Sequence, residues 1–411
     1  MWNAVCRGAA FLFPGLGWGN IQSGALPRRI PDAVQYPLLR WMHHHVTLPL
    51  VNTLKAFPEL RSGHPAVILA PMQGVTDRSM RELMGEWGGF TFCVSEYVRV
   101  SEHVLPRKVF YAQIPEVLNP ECVTPSGLPV SVQLLGGDPE RMALTAAVAA
   151  EAGARSIDIN FGCPAPTVNR HDGGASLLRY PARIRDIVAA VRQAVPAHIP
   201  VSAKLRLGWD SRDPIHENAE MAAQGGASWI TIHARTRVQG YAPPVFWEAI
   251  GAVNRELPIP VVANGDIWTI DDLRRCQDET ACEHFMLGRG ALADPWLPHR
   301  IAAELGIATP RELQLANGPT EHTLPEWLPL LRRFTEIGFR AYAGQYTPSA
   351  VSRYTAMRIK QWLRVASARH PSPWLALIKL AQSTEDVLDI LEQSCATELQ
   401  GRRSFASVGT P

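Results

Sequence analysis

The sequence predicts an α/β protein: a (β/α)8 TIM barrel followed by a small C-terminal all-helical domain. Three observations carry this. Eight short β-branched or apolar runs alternate with longer amphipathic stretches over about 240 residues, the count and size of such a barrel. Glycines and polar residues gather just past the ends of these runs, where barrels hold their chemistry. Beyond them the apolar spacing becomes purely helical and cations accumulate. A doubly wound sheet is the alternative, but the G-x-G-x-x-G that marks its first turn is missing.

Taken in order, residues 1–64 are rich in Gly, Pro and Trp and predict a poorly ordered extension. Within 1–60, Arg7, Arg28, Arg29, Arg40 and Lys55 stand against Asp32 and Glu59, five minus two, or +3. Pro14 and the glycines interrupt the apolar patch from Ala9 to Trp18 that a targeting segment would need, and Met42 offers a later start. His43, His44 and His45 have nothing nearby to complete a metal shell and read as a solvated turn. Strands are expected at 67–70, 91–95, 130–135, 156–160, 200–205, 229–233, 260–263 and 283–287, completing a barrel over 65–305. Helices between them include 139–152 and 181–194, the latter opened by Pro181. A Pro/Gly-containing linker at 306–324 leads to a helical domain at 325–400.

Composition narrows the function classes. With 411 residues, 46% apolar and 19% charged, the chain can bury a large core and is not a disordered protein. A formal charge of +2 advertises no polyanion partner, so any basic surface must be local. The seven cysteines form an odd set without a C-x-x-C pair, which fits a reducing, cytoplasmic setting rather than a disulfide or zinc framework. No apolar run reaches the roughly 18 residues of a membrane span.

The strand ends supply the candidate site. They read Pro71-Met72-Gln73-Gly74, Gln133, Asn160, Lys204, Arg206, His233, Asn264-Gly265-Asp266 and Gly288-Arg289. Glycines after the seventh and eighth strands, with Arg289, suit a phosphate. Lys204 and His233 can face an electron-rich ring, while Gln133 and Asn160 can pair with the amide edge of a heterocycle. Pro71, Met72 and Gly74 offer a flat surface for it, and FMN fits these features together. Cys163, in a Gly-Cys-Pro loop after the fourth strand and followed by HDGGAS (171–176), is positioned as a general acid. Tyr97, Arg99 and Arg206 are rim candidates for holding a base or its phosphate.

The segments LAPMQGVTD (69–77), NFGCPA (160–165), AKLRLGW (203–209), IHART (232–236), ANGDI (263–267) and GRGAL (288–292) together resemble the tRNA-dihydrouridine synthases. GWDS (208–211), TRVQGY (236–241), NGDIW (264–268) and RIKQWL (358–363) are similar to the C subfamily of that group. The resemblance implies an FMN-dependent enzyme that uses NADPH or NADH to reduce the 5,6 double bond of a tRNA uridine, in the C subfamily at position 16 of the D-loop. It makes Cys163 the acid toward carbon 5 as hydride reaches carbon 6. It also places Pro71 to Gly74, Gln133, Lys204, Asn264 to Asp266, Gly288 and Arg289 against FMN, with His233 beside the flavin. Asp172 departs from the small neutral residue more usual in the loop after the cysteine.

Residues 325–380 support an RNA partner independently. Arg332, Arg333, Arg340, Arg353, Arg358, Lys360, Arg364, Arg369 and Lys379 stand against Glu326 and Glu336, nine minus two, or +7. Riding on helices, they predict a stripe that tracks phosphates, with Arg353, Arg358, Lys360 and Arg364 on or near one face. Two rivals stay open: a reductase of a free pyrimidine resembling dihydroorotate dehydrogenases, which has no need of a basic domain, and an inactive RNA-binding protein, against which Cys163, Lys204 and His233 count. The active unit needs one barrel and one helical domain, so a monomer without an obligate protein partner is expected.

Overall fold

The computed structural model describes residues 57–406, except 321, 368 and 370–372. Eight parallel staves close into a barrel: β1 (Ala66–Leu69), β2 (Phe92–Val94) continued by β3 (Val98–Arg99), β4 (Val130–Leu135), β5 (Ile157–Asn160), β6 (Val201–Arg206), β7 (Trp229–His233), β8 (Val261–Asn264) and β9 (His284–Leu287). Each pairs with the next in parallel, β9 returns to β1, and β2 and β3 both pair with β4. The closed barrel and its strands agree with the sequence expectation to within a residue or two at the ends.

Local chemistry explains the crossovers. Asp77 caps Arg78–Trp87, its carboxylate accepting from Met80 N at 3.0 Å, and Asp138 caps Pro139–Ala152. That second helix ends at Gly153, whose φ of +115° a side chain would resist. Alternation along each strand sends Val67, Leu69, Ile157, Ile159, Ala203 and Leu205 outward into the helix layer.

The inward faces divide in two. On β1, β2, β8 and β9 they are largely apolar: Ala66, Ile68, Ala70, Phe92, Val94, Val262 and Met286. On β4 to β7, apart from Trp229 at the bottom, they are polar and buried: Ser131, Gln133, Asp158, Asn160, Ser202 and Thr231.

Two expectations need correcting here. Residues 57–64 are packed on the barrel, because Phe57 and Leu60 plug its bottom, Phe57 lying 5.0 Å from Phe92 and stacked on Trp229. Residues 1–56, with the histidine run and Met42, lie outside the described residues. The stretch 306–324 is not a plain linker: it holds the helix Pro310–Ala316, opened by a Thr309/Glu312 capping box. Glu312 also accepts from Gly89 N at 2.6 Å, tying this helix back to the barrel.

The helical unit comprises Leu324–Tyr342, Pro348–Ser367, Trp374–Leu377 and Thr384–Ala406. Trp327, Phe334, Trp362 and Trp374 form its aromatic core, and Trp362 Nε1 donates to Leu292 O of the barrel at 2.8 Å. Charged pairs complete the seam. Arg333 binds Glu86, Arg340 binds Glu82, and the hydroxyl of Tyr354 donates to Asp77 at 3.0 Å. No helix among the described residues is long and apolar enough to cross a membrane.

Candidate active site

The C-terminal mouth of the barrel collects the strand-end residues. Period-two alternation turns Gln133, Asn160, Lys204, His233 and Asn264 inward at the top of neighbouring strands. Lys204 Nζ donates to Asn264 Oδ1 at 2.8 Å, and Asn264 Nδ2 donates to Met286 O at 2.8 Å, so the amide is fixed with its oxygen toward the lysine. Burial, helped by the neighbouring Arg206, brings the Lys204 ammonium down to about 7. Burial and the cations of Arg206 and Lys204 push His233 well below its ordinary range, so this imidazole is neutral near pH 7.

Cys163 sits half-buried beside this ring. Asn160 Oδ1 accepts from both Gly162 N and Cys163 N, each at 2.9 Å, and so shapes the turn that presents the thiol. The Tyr97 hydroxyl is 4.0 Å from Sγ. Burial raises the thiol above its ordinary value, opposed by hydrogen bonds from the Ala165 backbone and Tyr97. The neutral thiol, which carries the proton, therefore dominates at pH 7.

On the other side of the mouth, Pro71, Met72 and Gly74 are half-buried and Gln73 is exposed. Gly265 has a φ of +127°, and a Cβ there would stand 3.1 Å from the His233 ring, so only glycine leaves this cradle open. Arg289 donates to Asp266 at 2.7 Å, and Asp266 also pairs with the buried Arg235, which hold its carboxyl below the usual range against the opposing effect of burial. A neutral imidazole, a lysine near its midpoint, fixed amides and an open glycine cradle suit a flat, amide-edged heterocycle bearing an anion. The residues present therefore fit FMN.

Arg206 is less of a rim residue than expected. It is buried, and donates to Gly162 O at 2.8 Å, Thr236 O at 3.0 Å and Gly240 O at 2.8 Å, stapling the Cys163 loop to the loop after β7. Arg99 donates to Thr167 O at 3.3 Å. Asp172, with a φ of +57°, pairs with Arg183.

The basic stripe needs correction. At 3.6 residues per turn, positions seven and eleven beyond 353 return to its face, whereas position five beyond falls on the far side. Arg358 accordingly points into the seam, only 2% exposed, donating to Gly74 O and Val75 O and pairing with Asp77 at 3.4 Å. It is a strut between helical unit and barrel, not a phosphate ligand. Lys360 donates to Lys379 O and Ala381 O within its own unit. Arg353 and Arg364 are exposed and form no ion pair among the described residues.

The dihydrouridine synthase family profile matches residues 68–318, more than half of the chain. The chain belongs to the dihydrouridine synthase family. It is 42% identical over 330 residues to the tRNA-dihydrouridine(16) synthase of Shewanella oneidensis, covering 80% of this chain and 98% of that one. It is 43% identical over 302 residues to the tRNA-dihydrouridine(16) synthase of Neisseria meningitidis serogroup A, covering 72% and 84%. The solved histamine dehydrogenase of Rhizobium sp. 4-9 covers 68% of this chain and 50% of its own at 14% identity, with a TM-score of 0.47.

Reading only strand ends overlooks several residues of this family member. Tyr241 lies within reach of both Arg206 and Arg289, whose guanidinium carbons are 5.3 and 5.0 Å from its ring. Asp158 and Ser202 form a buried polar layer directly beneath Asn160 and Lys204. Stepping back two residues from each strand end, on the same face, would have found that layer.

Proposed function

We propose that the protein reduces the 5,6 double bond of a uridine in tRNA, position 16 of the D-loop, with Cys163 as proton donor. The observation that carries this is the half-buried, protonated thiol held by Asn160 beside a ring of residues that suits a flavin. Held there, FMN would supply hydride chemistry toward carbon 6, with NADPH as the reductant. Cys163 Sγ delivers its proton to carbon 5, and Tyr97 keeps a hydroxyl beside the sulfur. Lys204, Gln133 and the neutral His233 would hold the ring system, and Gly265, Gly288 and Arg289 would hold the phosphate end. The uridine leaves its stack to enter the mouth, at low cost in an irregular loop. Arg353, Arg364, Arg369 and Lys379, all exposed, grip the tRNA backbone from the helical unit in a cytoplasmic monomer.

The test is Cys163→Ala. Flavin binding and its reduction by NADPH should survive, while dihydrouridine formation falls by about 10²–10⁴, the scale of general acid catalysis. Near-normal dihydrouridine in tRNA made by this variant would end the assignment. Reduction of free uridine as fast as of tRNA would end the choice of substrate.

A further inference from the structure

A continuous hydrogen-bonded chain runs from the barrel interior to the Cys163 loop. Ser202 Oγ donates to Asp158 Oδ1 at 2.6 Å, and Gln133 Nε2 donates to Asp158 Oδ2 at 2.7 Å. Asn160 Nδ2 then donates to Gln133 Oε1 at 2.9 Å, leaving Asn160 Oδ1 to accept from Gly162 N and Cys163 N at 2.9 Å. Asp158, Gln133 and Ser202 are 0–1% exposed.

The direction of every donor in this chain is fixed at its two ends, by the Asp158 acceptor below and the Gly162 and Cys163 N–H donors above. An amide offers a donor on one side and an acceptor on the other, so Gln133 and Asn160 could each stand either way round. An acceptor at Asp158 draws the Gln133 NH2 down and its oxygen up. That oxygen draws the Asn160 NH2 down, which leaves the Asn160 oxygen facing the loop where its two backbone N–H donors need it. With no acceptor at 158, a reversed chain would aim the Asn160 NH2 at two backbone N–H donors. We infer that Asp158 is a positioning residue, which acts through Gln133 and Asn160 to set the backbone of the Cys163 loop and the place of its thiol. For catalysis, the inference rests on Cys163 being the proton donor.

Burial pushes the Asp158 carboxyl up, against the donors Ser202 and Gln133. The chain tolerates either protonation state, because the Ser202 hydroxyl can donate to a carboxylate or accept from a carboxylic acid. What matters is an acceptor facing Gln133. Asparagine can supply one, with its NH2 turned to Ser202. Alanine cannot.

The experiment uses the full-length, FMN-loaded protein and compares Asp158→Ala, Asp158→Asn and Ser131→Ala. The last removes a buried hydroxyl pair, Ser131 to Ser156 at 2.8 Å, outside the chain. Alkylation of Cys163 by iodoacetamide is followed by peptide mass spectrometry, separately from flavin reduction by NADPH and dihydrouridine formation. In Asp158→Ala, alkylation should quicken at least fivefold and dihydrouridine formation fall at least tenfold per flavin reduced by NADPH, a normalisation that removes any change at the flavin passed on through Gln133. Asp158→Asn should stay within about threefold on both, and Ser131→Ala should match the parent. If Asp158→Ala does not fold, Asp158→Val fills the same space without an acceptor and takes its place. Unchanged Cys163 alkylation in the acceptor-free variant, or equal effects in Ser131→Ala, would overturn the inference. Altered alkylation with undiminished dihydrouridine formation would uphold the positioning and instead overturn Cys163 as the acid.

Discussion

Replacing Arg358 by Met tests whether this cation serves the seam or the tRNA. The thioether chain fills much of the space of the arginine stem, so the change removes charge and donors more than volume. It removes the donations to the carbonyls of Gly74 and Val75 and the ion pair with Asp77 at 3.4 Å. A hydrogen bond to a charged group contributes about 1.5–3 kcal/mol, and stripping one partner from a buried ion pair costs about 3–5 kcal/mol. These overlap, and Asp77 keeps Met80 N and the Tyr354 hydroxyl as donors, so about 3–5 kcal/mol is the expected net loss. At an unfolding entropy of about 2.1 cal/mol/K per residue, a body of about 350 residues shifts by about 1.4 °C per kcal/mol, so the melting temperature should fall by roughly 4–7 °C. Differential scanning calorimetry reads this directly, and tRNA affinity across salt concentrations reads the alternative. A melting temperature shifted by less than about 2 °C, with the slope of log affinity against log salt lowered by roughly 0.7–0.9, would refute the strut and restore Arg358 as a phosphate ligand.

The exposed cations should behave in the opposite way. In Arg353→Ala/Arg364→Ala, measured by the same two assays, the salt slope should drop by roughly 0.7–0.9 for each phosphate no longer neutralised, while the melting temperature stays within about 2 °C. Lys204 predicts a pH dependence of flavin binding. Without flavin it titrates at about 7, and a nearby electron-rich ring and phosphate favour the cation, so binding raises this value and takes up a proton. FMN affinity should then fall as pH rises above 7, by at most about tenfold per unit, and calorimetry at pH 8 in buffers of different ionisation enthalpy should show uptake approaching one proton. Lys204→Met should abolish the uptake, and its absence from the parent protein would refute the assignment.

The strands, the barrel and the ring of residues at its mouth were legible in the sequence because they depend on local properties. β-branched runs set the strands, the barrel rule says which strand end matters, and a Gly-Cys-Pro turn marks where a thiol is presented. The helix Pro139–Ala152 spans the residues its amphipathic spacing marks out, 139–152. Asp158 was equally legible in type and spacing, two residues before Asn160, but its meaning required knowing that Gln133 on one neighbouring strand and Ser202 on the other converge on it.

What the tertiary structure alone decided is which charges are spent. Helical periodicity separates Arg358 from the face of Arg353 and Arg364, yet says nothing of which face another domain will cover. The partners that settle it are far away in sequence: Arg358 meets Gly74 across 284 residues, and Arg340 meets Glu82 across 258. A sequence presents charges one by one, whereas the free energy of each depends on the desolvation and counter-charge that folding brings to it. The +7 of residues 325–380 is therefore a property of the chain, and the smaller basic face offered to a polyanion is a property of the fold.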